Sequence, residues 1–363
     1  MRLLVAGGGT GGHLFPGIAV ADEVIRRGAG EVLFVGTSRG IETRAVPAAG
    51  YALETLQVSG LKRMGLLGTV RGLGRVPLAI ARSIGILRRF KPEVVLGVGG
   101  YASGPMVLAA ALLGYPTAIQ EQNSVPGITN RVLGRLVRAV FIAFEDAACF
   151  FPARKIARLG NPVRQKIVAA LEGVTSANPS SEKLRILVVG GSQGARAVSD
   201  LVTGATAALS ASGVSFTLVH QTGSADLGRI QERYRALGLA DHVVVKAFIE
   251  DMATAYTEAD LVVARAGALT LAELAIAGRP AILIPLPTAA DDHQRKNAAQ
   301  FASAGAALVL DQGTVRAEDL ASAIAGLAKD SAKRASMGSA MRGLARPQAA
   351  RAIVDHLEAL VRK

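Results

Sequence analysis

Short runs of Val, Leu and Ile recur along the chain, separated by longer helix-like stretches, and the pattern restarts midway. The first set is Leu3 to Ala6, Val32 to Val35, Val94 to Val98, Thr117 to Ile119 and Ala139 to Ala143. The second is Arg185 to Val189, Phe216 to His220, Val243 to Lys246, Leu261 to Ala264, Ala281 to Pro285 and Ala307 to Leu310. Continuous apolar runs belong to strands buried on both faces, which is the condition of a parallel sheet covered by crossover helices. The restart is visible residue by residue. Leu3-Leu4-Val5-Ala6-Gly7-Gly8-Gly9-Thr10-Gly11-Gly12 is echoed by Ile186-Leu187-Val188-Val189-Gly190-Gly191-Ser192-Gln193-Gly194-Ala195. Two α/β halves are expected, each opening on a buried strand that enters a glycine loop before a helix. The length of 363 residues points the same way, because it exceeds what one hydrophobic core comfortably fills.

Composition narrows the function classes. The single cysteine, Cys149, allows no internal disulfide, thiolate zinc cluster or CxxC redox pair, and fits a reducing cytoplasm. Aromatic residues are 4% of the chain and Trp is absent, so a base-stacking platform for single-stranded nucleic acid would be sparse. The amino terminus reads as a first core strand, too short and Gly-interrupted for a signal peptide. The uncharged stretch Val94 to Gln120 is long enough to span a bilayer. Its seven Gly and Pro residues, from Gly97 to Pro116, instead predict strand, loop, helix and strand. The formal charge of +13 calls for an anionic partner.

Gly7, Gly9 and Gly12 satisfy G-x-G-x-x-G after a first strand, as in loops that lay a dinucleotide pyrophosphate on a helix N-terminus. The strand Val32 to Val35, however, ends in Gly36-Thr37-Ser38, with no acidic residue there to take an adenosine ribose, which counts against a dehydrogenase. His13 directly follows Gly12 and is expected at a helix start on the sheet's carboxyl edge, either as a structural neighbour or as a catalytic or substrate-contacting group. Gly190 to Gly194 is either an ordinary tight turn or an anion site built from backbone N–H groups. Arg265-Ala266-Gly267-Ala268-Leu269-Thr270 precedes a helix carrying Glu273. Thr270 and Glu273 fit a capping box; the alternative is that helix-start amides hold a phosphate while Glu273 accepts from sugar hydroxyls. Asp291-Asp292-His293-Gln294-Arg295-Lys296-Asn297-Ala298 reads as a hydrogen-bonding patch. Its adjacent acids point apart and no second cluster accompanies them, so no metal site is expected.

No acid occurs between Glu54 and Glu93, where Lys62, Arg63, Arg71, Arg75, Arg82, Arg88, Arg89 and Lys91 account for most of the net charge. Leu61, Met64, Leu66, Leu67, Val70 and Leu73 are interleaved. Such a segment is either a solvated helix face over core or a membrane-associating surface, each basic residue near anionic lipid contributing about 1 kcal/mol. No recognised nucleic-acid motif accompanies the charge.

Together these motifs resemble the MurG family of two-domain glycosyltransferases over nearly the whole chain. The matching residues are Gly7 to His13 with Pro16-Gly17, Gly99-Gly100-Tyr101-Ala102-Ser103-Gly104-Pro105, Glu121-Gln122-Asn123, Gly160-Asn161-Pro162-Val163-Arg164, Gly190 to Ala195, Phe248-Ile249-Glu250-Asp251-Met252, Arg265 to Glu273 and Asp292 to Ala298. One departure is Gln120, where the family often has His. The resemblance implies the GT-B fold, two Rossmann-like doubly wound parallel-sheet domains facing across a cleft. Residues 1–161 would form the acceptor and membrane-associating domain and residues 162–344 the UDP-sugar domain. A carboxy-terminal helix at about 345–363 would pack back on the first. A hinge is expected near Asn161, with a surface loop at Gly173 to Ser181.

The resemblance further implies an inverting, metal-independent transfer of N-acetylglucosamine from UDP-N-acetylglucosamine to the 4-hydroxyl of the muramoyl unit of lipid I, without a cofactor or nucleic acid. It places the protein peripherally at the cytoplasmic face of the plasma membrane, on anionic inner-leaflet lipid. His13 is the first candidate base and Glu121 the second; an imidazole with its ordinary value near 6.5 suits that task. Implied donor contacts are Thr10, Gly11, Gly12 and Asn123 for the sugar side and Arg164 and Ser192 for the phosphates. Ile249 would meet uracil through its backbone, Ala268, Leu269, Thr270, Leu271, Ala272 and Glu273 would span diphosphate and ribose, and Gln294 would reach the sugar hydroxyls. The membrane-associating residues would be Lys62, Arg63, Leu66, Leu67, Arg71, Arg75, Arg82, Arg88 and Arg89. Two alternatives stay open from the residues: an enzyme like a UDP-N-acetylglucosamine epimerase, which needs no membrane patch, and a non-catalytic membrane-bound UDP-sugar adaptor.

Overall fold

Leu3 and Val5 face one side of the first sheet and Leu4 and Ala6 the other, and all four are wholly buried. That is the two-sided burial that their unbroken apolar run predicts. The computed structural model describes residues 1–28, 30–58, 66–172, 183–191 and 194–362, with the side chains of 66–76 and 290 left aside. The first sheet is parallel throughout, with strands β1 (Arg2–Gly7), β2 (Glu31–Thr37), β3 (Ala52–Leu56), β4 (Val94–Gly99), β5 (Thr117–Glu121), β6 (Ala139–Ile142) and β7 (Ile156–Arg158). Their order is β3-β2-β1-β4-β5-β6-β7, so the winding direction switches between β1 and β4. Helices Gly11–Arg26, Glu42–Ala48 and Ala349–Val361 cover one face; Leu66–Phe90, Ser103–Leu112 and Ile128–Leu133 cover the other.

The second sheet repeats the plan with β8 (Leu184–Val189), β9 (Phe216–Gln221), β10 (Val243–Lys246), β11 (Leu261–Ala264), β12 (Ala281–Leu283) and β13 (Ala307–Val309), in the order β10-β9-β8-β11-β12-β13. Helices Arg196–Ala211, Leu227–Ala236 and Ala317–Lys329 bury Val198, Val202, Ile230, Leu320 and Ile324 against one of its faces.

The chain divides into two compact units, Met1–Gln165 with Arg346–Lys363, and Lys166–Ala345. The segment Asn161 to Arg164 thus packs with the first unit. The last helix returns to that unit because Ile353, Val354 and Leu357 are fully buried among Leu3, Val5 and Ile18, each contributing roughly 1.5–3 kcal/mol. Arg27 adds ion pairs to Asp355 at 2.7 Å and Glu358 at 3.2 Å.

Two strands have no counterpart among the predicted runs, β3 and β7. Both are edge strands and largely half-exposed, so Glu54 and Thr55 in one and Arg158 in the other break the apolar pattern. The uncharged stretch Val94 to Gln120 is β4, the helix Ser103–Leu112 and most of β5. Among the described residues no helix is long and apolar enough to cross a membrane. The stretch Gly173 to Ser181 lies outside the described residues.

Candidate active site

In doubly wound sheets ligands bind beyond the carboxyl ends of the strands, at the switch point. In the first unit that point carries the loops after β1, β4 and β5. Thr10 has extended backbone and starts the helix Gly11–Arg26 without a side-chain cap, so Gly11 and Gly12 form its first turn; Thr10 and Gly12 are exposed. His13 stands in that turn with Nδ1 2.9 Å from Gln122 Oε1. Its ring lies on Gly99, a left-handed residue at φ +91° where a Cβ would come within 2.9 Å of Nδ1. Only glycine leaves the imidazole that space.

Glu121, the last residue of β5, is 1% exposed. Its Oε1 accepts from the Asn123 backbone N–H at 3.0 Å and its Oε2 from Asn130 Nδ2 at 2.8 Å. Both oxygens therefore have donors already, and the carboxylate fixes the turn that presents half-buried Asn123. Arg164 stacks over the Phe15 ring at 4.9 Å, above the same helix.

One residue of this loop cluster escaped the motif reading. Glu42, from the helix Glu42–Ala48, is fully buried and reaches back under the glycine loop, where Oε2 accepts the Gly9 N–H at 2.7 Å. Its Oε1 accepts both the N–H and the hydroxyl of Thr37, at 2.7 and 2.8 Å. Burial, the largest single influence, pushes this carboxyl up, but the bonds from Gly9 and Thr37 outweigh it and hold it below the ordinary glutamate value. The signal available in sequence is Gly36 and Gly40 flanking the β2 turn: a side chain on either would collide with Glu42.

In the second unit the loop after β8 runs through Gly190 and Gly191 to Gly194; Ser192 lies outside the described residues. Ile249 is 4% exposed, and its N–H donates to Gln221 Oε1 at 3.3 Å, so its carbonyl is what it can offer a base edge. Gly267 has extended backbone and is the N-cap of the helix Ala268–Ala277. Thr270 is therefore inside the first turn rather than before it, and the capping box expected of Thr270 and Glu273 does not form. Glu273 falls in the second turn, 7% exposed, where Oε2 accepts from the hydroxyl of wholly buried Tyr256 at 3.0 Å.

The first-turn amides of Ala268, Leu269 and Thr270 are what this helix presents to an anion, with Leu271 and Ala272 behind them. Gln294 Oε1 accepts the Leu286 N–H at 3.0 Å, Asn297 Nδ2 donates to the Ala266 carbonyl at 3.3 Å, and Arg265 Nη1 donates to the carbonyls of Ile284 and Pro285. These bonds tie together the loops after β11 and β12, the second cluster of expected contact residues. Just before Gln294, Asp291 and Asp292 are consecutive left-handed residues at φ 52° and 55°, a conformation that costs non-glycine residues on the order of 1–2 kcal/mol each. Backbone strain of this kind concentrates at ligand clamps.

Among the described residues no three His, Cys, Asp or Glu side chains are grouped to hold a metal ion. A cavity of about 530 Å³ runs along the second sheet from Arg185 to Lys246 and reaches Ile249 and Asp251. Another of about 260 Å³, lined by Lys183, Leu184, Val214 and Asp260, sits at the amino ends of the strands, the wrong edge for a ligand in this architecture.

Of the basic segment, Lys62 and Arg63 lie outside the described residues, as do the side chains of Leu66, Leu67, Arg71 and Arg75. Arg82 and Arg88 are exposed, and Arg89 is exposed but paired with Glu54 at 2.6 Å. On the same side of the sheet, Leu78, Leu112, Leu113, Ile128, Val132 and Leu136 are exposed apolar residues.

The glycosyltransferase family 28 N-terminal domain matches residues 3–142 and the C-terminal domain of the same family residues 185–354. A relative from Myxococcus xanthus is 50% identical over 338 residues, covering 93% of this chain and 87% of its own. One from Anaeromyxobacter (strain Fw109-5) is 48% identical over 364 residues, covering 100% and 94%. Both are described as UDP-N-acetylglucosamine–N-acetylmuramyl-(pentapeptide) pyrophosphoryl-undecaprenol N-acetylglucosamine transferase. The crystal structure of Acinetobacter baumannii MurG superposes with a TM-score of 0.79 at 32% identity, covering 99% of each chain. A UDP-N-acetylglucosamine 2-epimerase superposes at 0.66 with 14% identity over 98% of this chain and 95% of its own, a likeness of fold alone.

Proposed function

The chain belongs to glycosyltransferase family 28, and we propose from that premise how its side chains divide the work. It is a UDP-N-acetylglucosamine-dependent glycosyltransferase of the GT-B fold that moves N-acetylglucosamine to lipid I in peptidoglycan synthesis. The finer reading is a single inverting displacement. The 4-hydroxyl of the muramoyl unit attacks the anomeric carbon, its proton passes to His13, and UDP leaves through an oxocarbenium-like transition state.

The observation that carries this reading is His13 itself. It stands in the first helical turn at the switch point, one ring nitrogen tied to Gln122, and among the described residues no hydrogen bond engages the other. A positioned base of this kind contributes typically 10²–10⁴-fold. Glu121, with both oxygens taken by Asn123 and Asn130, acts by holding Asn123 toward the sugar, together with Thr10, Gly11 and Gly12. Arg164, Ser192 and the helix start at Ala268 to Leu271 carry the leaving diphosphate, whose negative charge the helix dipole favours. Glu273 takes the ribose hydroxyls, Gln294 the sugar hydroxyls and the Ile249 carbonyl the uracil edge. No metal is needed, because the diphosphate charge is met by amides and a guanidinium.

The same reading places the protein peripherally on the cytoplasmic face of the plasma membrane. Exposed Arg82, Arg88, Arg135 and Arg138 accompany the exposed apolar residues of the helices between β3 and β6, a combination suited to anionic lipid.

The test is release of UDP from UDP-N-acetylglucosamine by purified protein, with and without a lipid I analogue and in EDTA. Acceptor-dependent release that survives EDTA is expected. Release without acceptor would point to an epimerase or hydrolase, and loss in EDTA would overturn the metal-free displacement.

A further inference from the structure

Behind His13 the structure holds a run of side-chain amides whose orientation is dictated from both ends. At one end, Gln122 Nε2 lies 2.9 Å from the Val98 carbonyl and 3.3 Å from the Gln120 carbonyl. Carbonyls only accept, so the NH₂ of Gln122 must face them and its oxygen must face His13. At the other end, Asn161 Nδ2 donates to the Gln122 carbonyl at 3.0 Å, which turns Asn161 Oδ1 toward Gln120. Gln120 Nε2 donates to that oxygen at 2.9 Å, and Gln120 Oε1 in turn accepts from Gln122 Nε2. Main-chain carbonyls thus set the flips of Gln122 and Asn161, and Asn161 in turn sets that of Gln120. Gln120, Gln122 and Asn161 are 0%, 1% and 5% exposed, so no water competes for these bonds. Among the described residues, the donor that Gln122 Oε1 accepts from at 2.9 Å is His13 Nδ1–H.

We propose that Gln122 is a positioning residue that locks the proton of His13 on Nδ1, leaving Nε2 as the basic nitrogen, with Gln120 and Asn161 holding Gln122 in the required orientation. When Nε2 takes up a proton, Nδ1–H keeps its bond, and none of the buried amides has to turn. A free histidine side chain prefers the opposite tautomer, with its proton on Nε2, so the ring would otherwise present the wrong nitrogen. Gln122 differs from a carboxylate in this role. It fixes the tautomer without adding a charge that would hold the imidazole protonated. The lock explains how Gln120 is accommodated at its buried position: its amide both donates and accepts along the run. The consequence for turnover rests on His13 being the base; the tautomer itself does not.

Nitrogen-15 spectra of histidine-labelled protein read the tautomer directly. The chain has five histidines, and the His13→Ala variant assigns the signal. His13 is expected to carry its proton on Nδ1 in the full chain above neutral pH, and Gln122→Met, which removes the acceptor, is expected to shift it toward Nε2–H. Either an Nε2–H tautomer in the unaltered protein or an unchanged Nδ1–H tautomer in Gln122→Met would overturn the lock. If Gln122→Met does not fold, the unaltered protein's spectrum and Gln122→Glu decide. A carboxylate there should raise the acid limb of kcat/KM by about 1–3 pH units, with the KM for UDP-N-acetylglucosamine little changed, whereas an unmoved limb together with Nε2–H overturns the proposal. Should His13→Ala keep full turnover while the Nδ1–H signal is present, the base reading fails and the tautomer lock stands.

Discussion

Glu42 follows Gly9 by 33 residues, yet its Oε2 accepts the Gly9 N–H at 2.7 Å while its Oε1 takes the N–H of Thr37 at the same distance. The first glycine loop therefore has one of its amides committed to an internal carboxylate. A dinucleotide-binding loop keeps such amides for pyrophosphate; here a buried negative charge lies beneath the loop. The loop matches G-x-G-x-x-G in letters and differs from it electrostatically, in keeping with the proposed assignment of the diphosphate to Arg164, Ser192 and the helix start at Ala268 rather than to this loop.

Replacing Glu42 with Gln preserves shape but turns an NH₂ toward N–H groups that need acceptors. Each buried donor left unsatisfied costs about 1–3 kcal/mol, so the Glu42→Gln variant should melt several degrees lower and resist denaturant less. The unaltered protein carries the matching pH signature. Because the folded-state value of Glu42 lies below the unfolded one, its contribution is present above about pH 4.3 and disappears as pH falls through the lower folded value. Denaturant titrations of both proteins from pH 7 to pH 3 should converge at the acid end.

His220 supplies a second titration in a separate window. It is wholly buried on β9, with Nδ1 3.0 Å from the Tyr234 hydroxyl and Nε2 lacking a hydrogen-bond partner among the described residues. Burial pushes it down to about 4, against a small upward pull from Asp226. The unfolded chain binds the proton at about 6.5 and the folded chain does not until about pH 4. Stability should therefore fall as pH drops from 6.5 toward 4, by on the order of 3 kcal/mol at the limit. A His220→Phe variant should show a flatter curve across that interval; an identical slope would show that His220 is not the group responsible.

How legible was this molecule in its sequence? Strands buried on both faces announce themselves as unbroken apolar runs, so the central strands of both sheets stand out. The edge strands β3 and β7 do not, since Glu54 and Arg158 need solvent, whereas β10 and β13, also at sheet edges, keep the apolar runs Val243 to Val245 and Ala307 to Val309 and are found. Candidate site residues that sit next to a glycine loop, such as His13 and Thr270, can be picked out from spacing. Glu42 and the Gln120–Asn161 pair are not, because their contacts close over 33 and 41 residues of intervening chain and depend on which strands lie side by side. Capping is similarly a matter of backbone: Gly267, rather than Thr270, proves to be the residue in extended conformation before the helix.

At the second unit, Glu273→Gln should weaken UDP-N-acetylglucosamine binding. A hydrogen bond to a charged group contributes about 1.5–3 kcal/mol, equivalent to roughly 10–100-fold in Kd. Tyr256→Phe, which removes the hydroxyl 3.0 Å from Glu273 Oε2, should give a smaller loss in the same direction. Calorimetric titration with UDP and with the full sugar nucleotide checks both, and unchanged affinity in Glu273→Gln would remove that residue from the donor site.

His13→Ala should lower kcat by about 10²–10⁴-fold with donor affinity unaffected, since the nucleotide contacts are assigned elsewhere. Single-turnover transfer to a lipid I analogue, paired with calorimetry of UDP binding, separates the two quantities. Normal turnover would move the base elsewhere, whereas a joint loss of turnover and binding would make His13 a donor contact.

Membrane association can be dissected by charge and by apolar surface. Each basic residue near anionic lipid contributes about 1 kcal/mol, so neutralising Arg71, Arg75, Arg82 and Arg88 together should weaken vesicle binding by between about tenfold and a thousandfold, depending on how many lie at the lipid surface. Raising salt should mimic the effect on the unaltered protein, because exposed charges are screened over about 8–10 Å under ordinary ionic conditions. Polar replacements of exposed Ile128 and Val132 should instead weaken binding at all salt concentrations, since burial of apolar area does not depend on screening. Co-sedimentation with vesicles of neutral and of anionic phospholipid, across a salt series, distinguishes the two contributions. Binding that ignores all four arginines would place the membrane contact on another surface, and a transferase that loses vesicle binding but keeps turnover with a water-soluble acceptor would separate anchoring from chemistry.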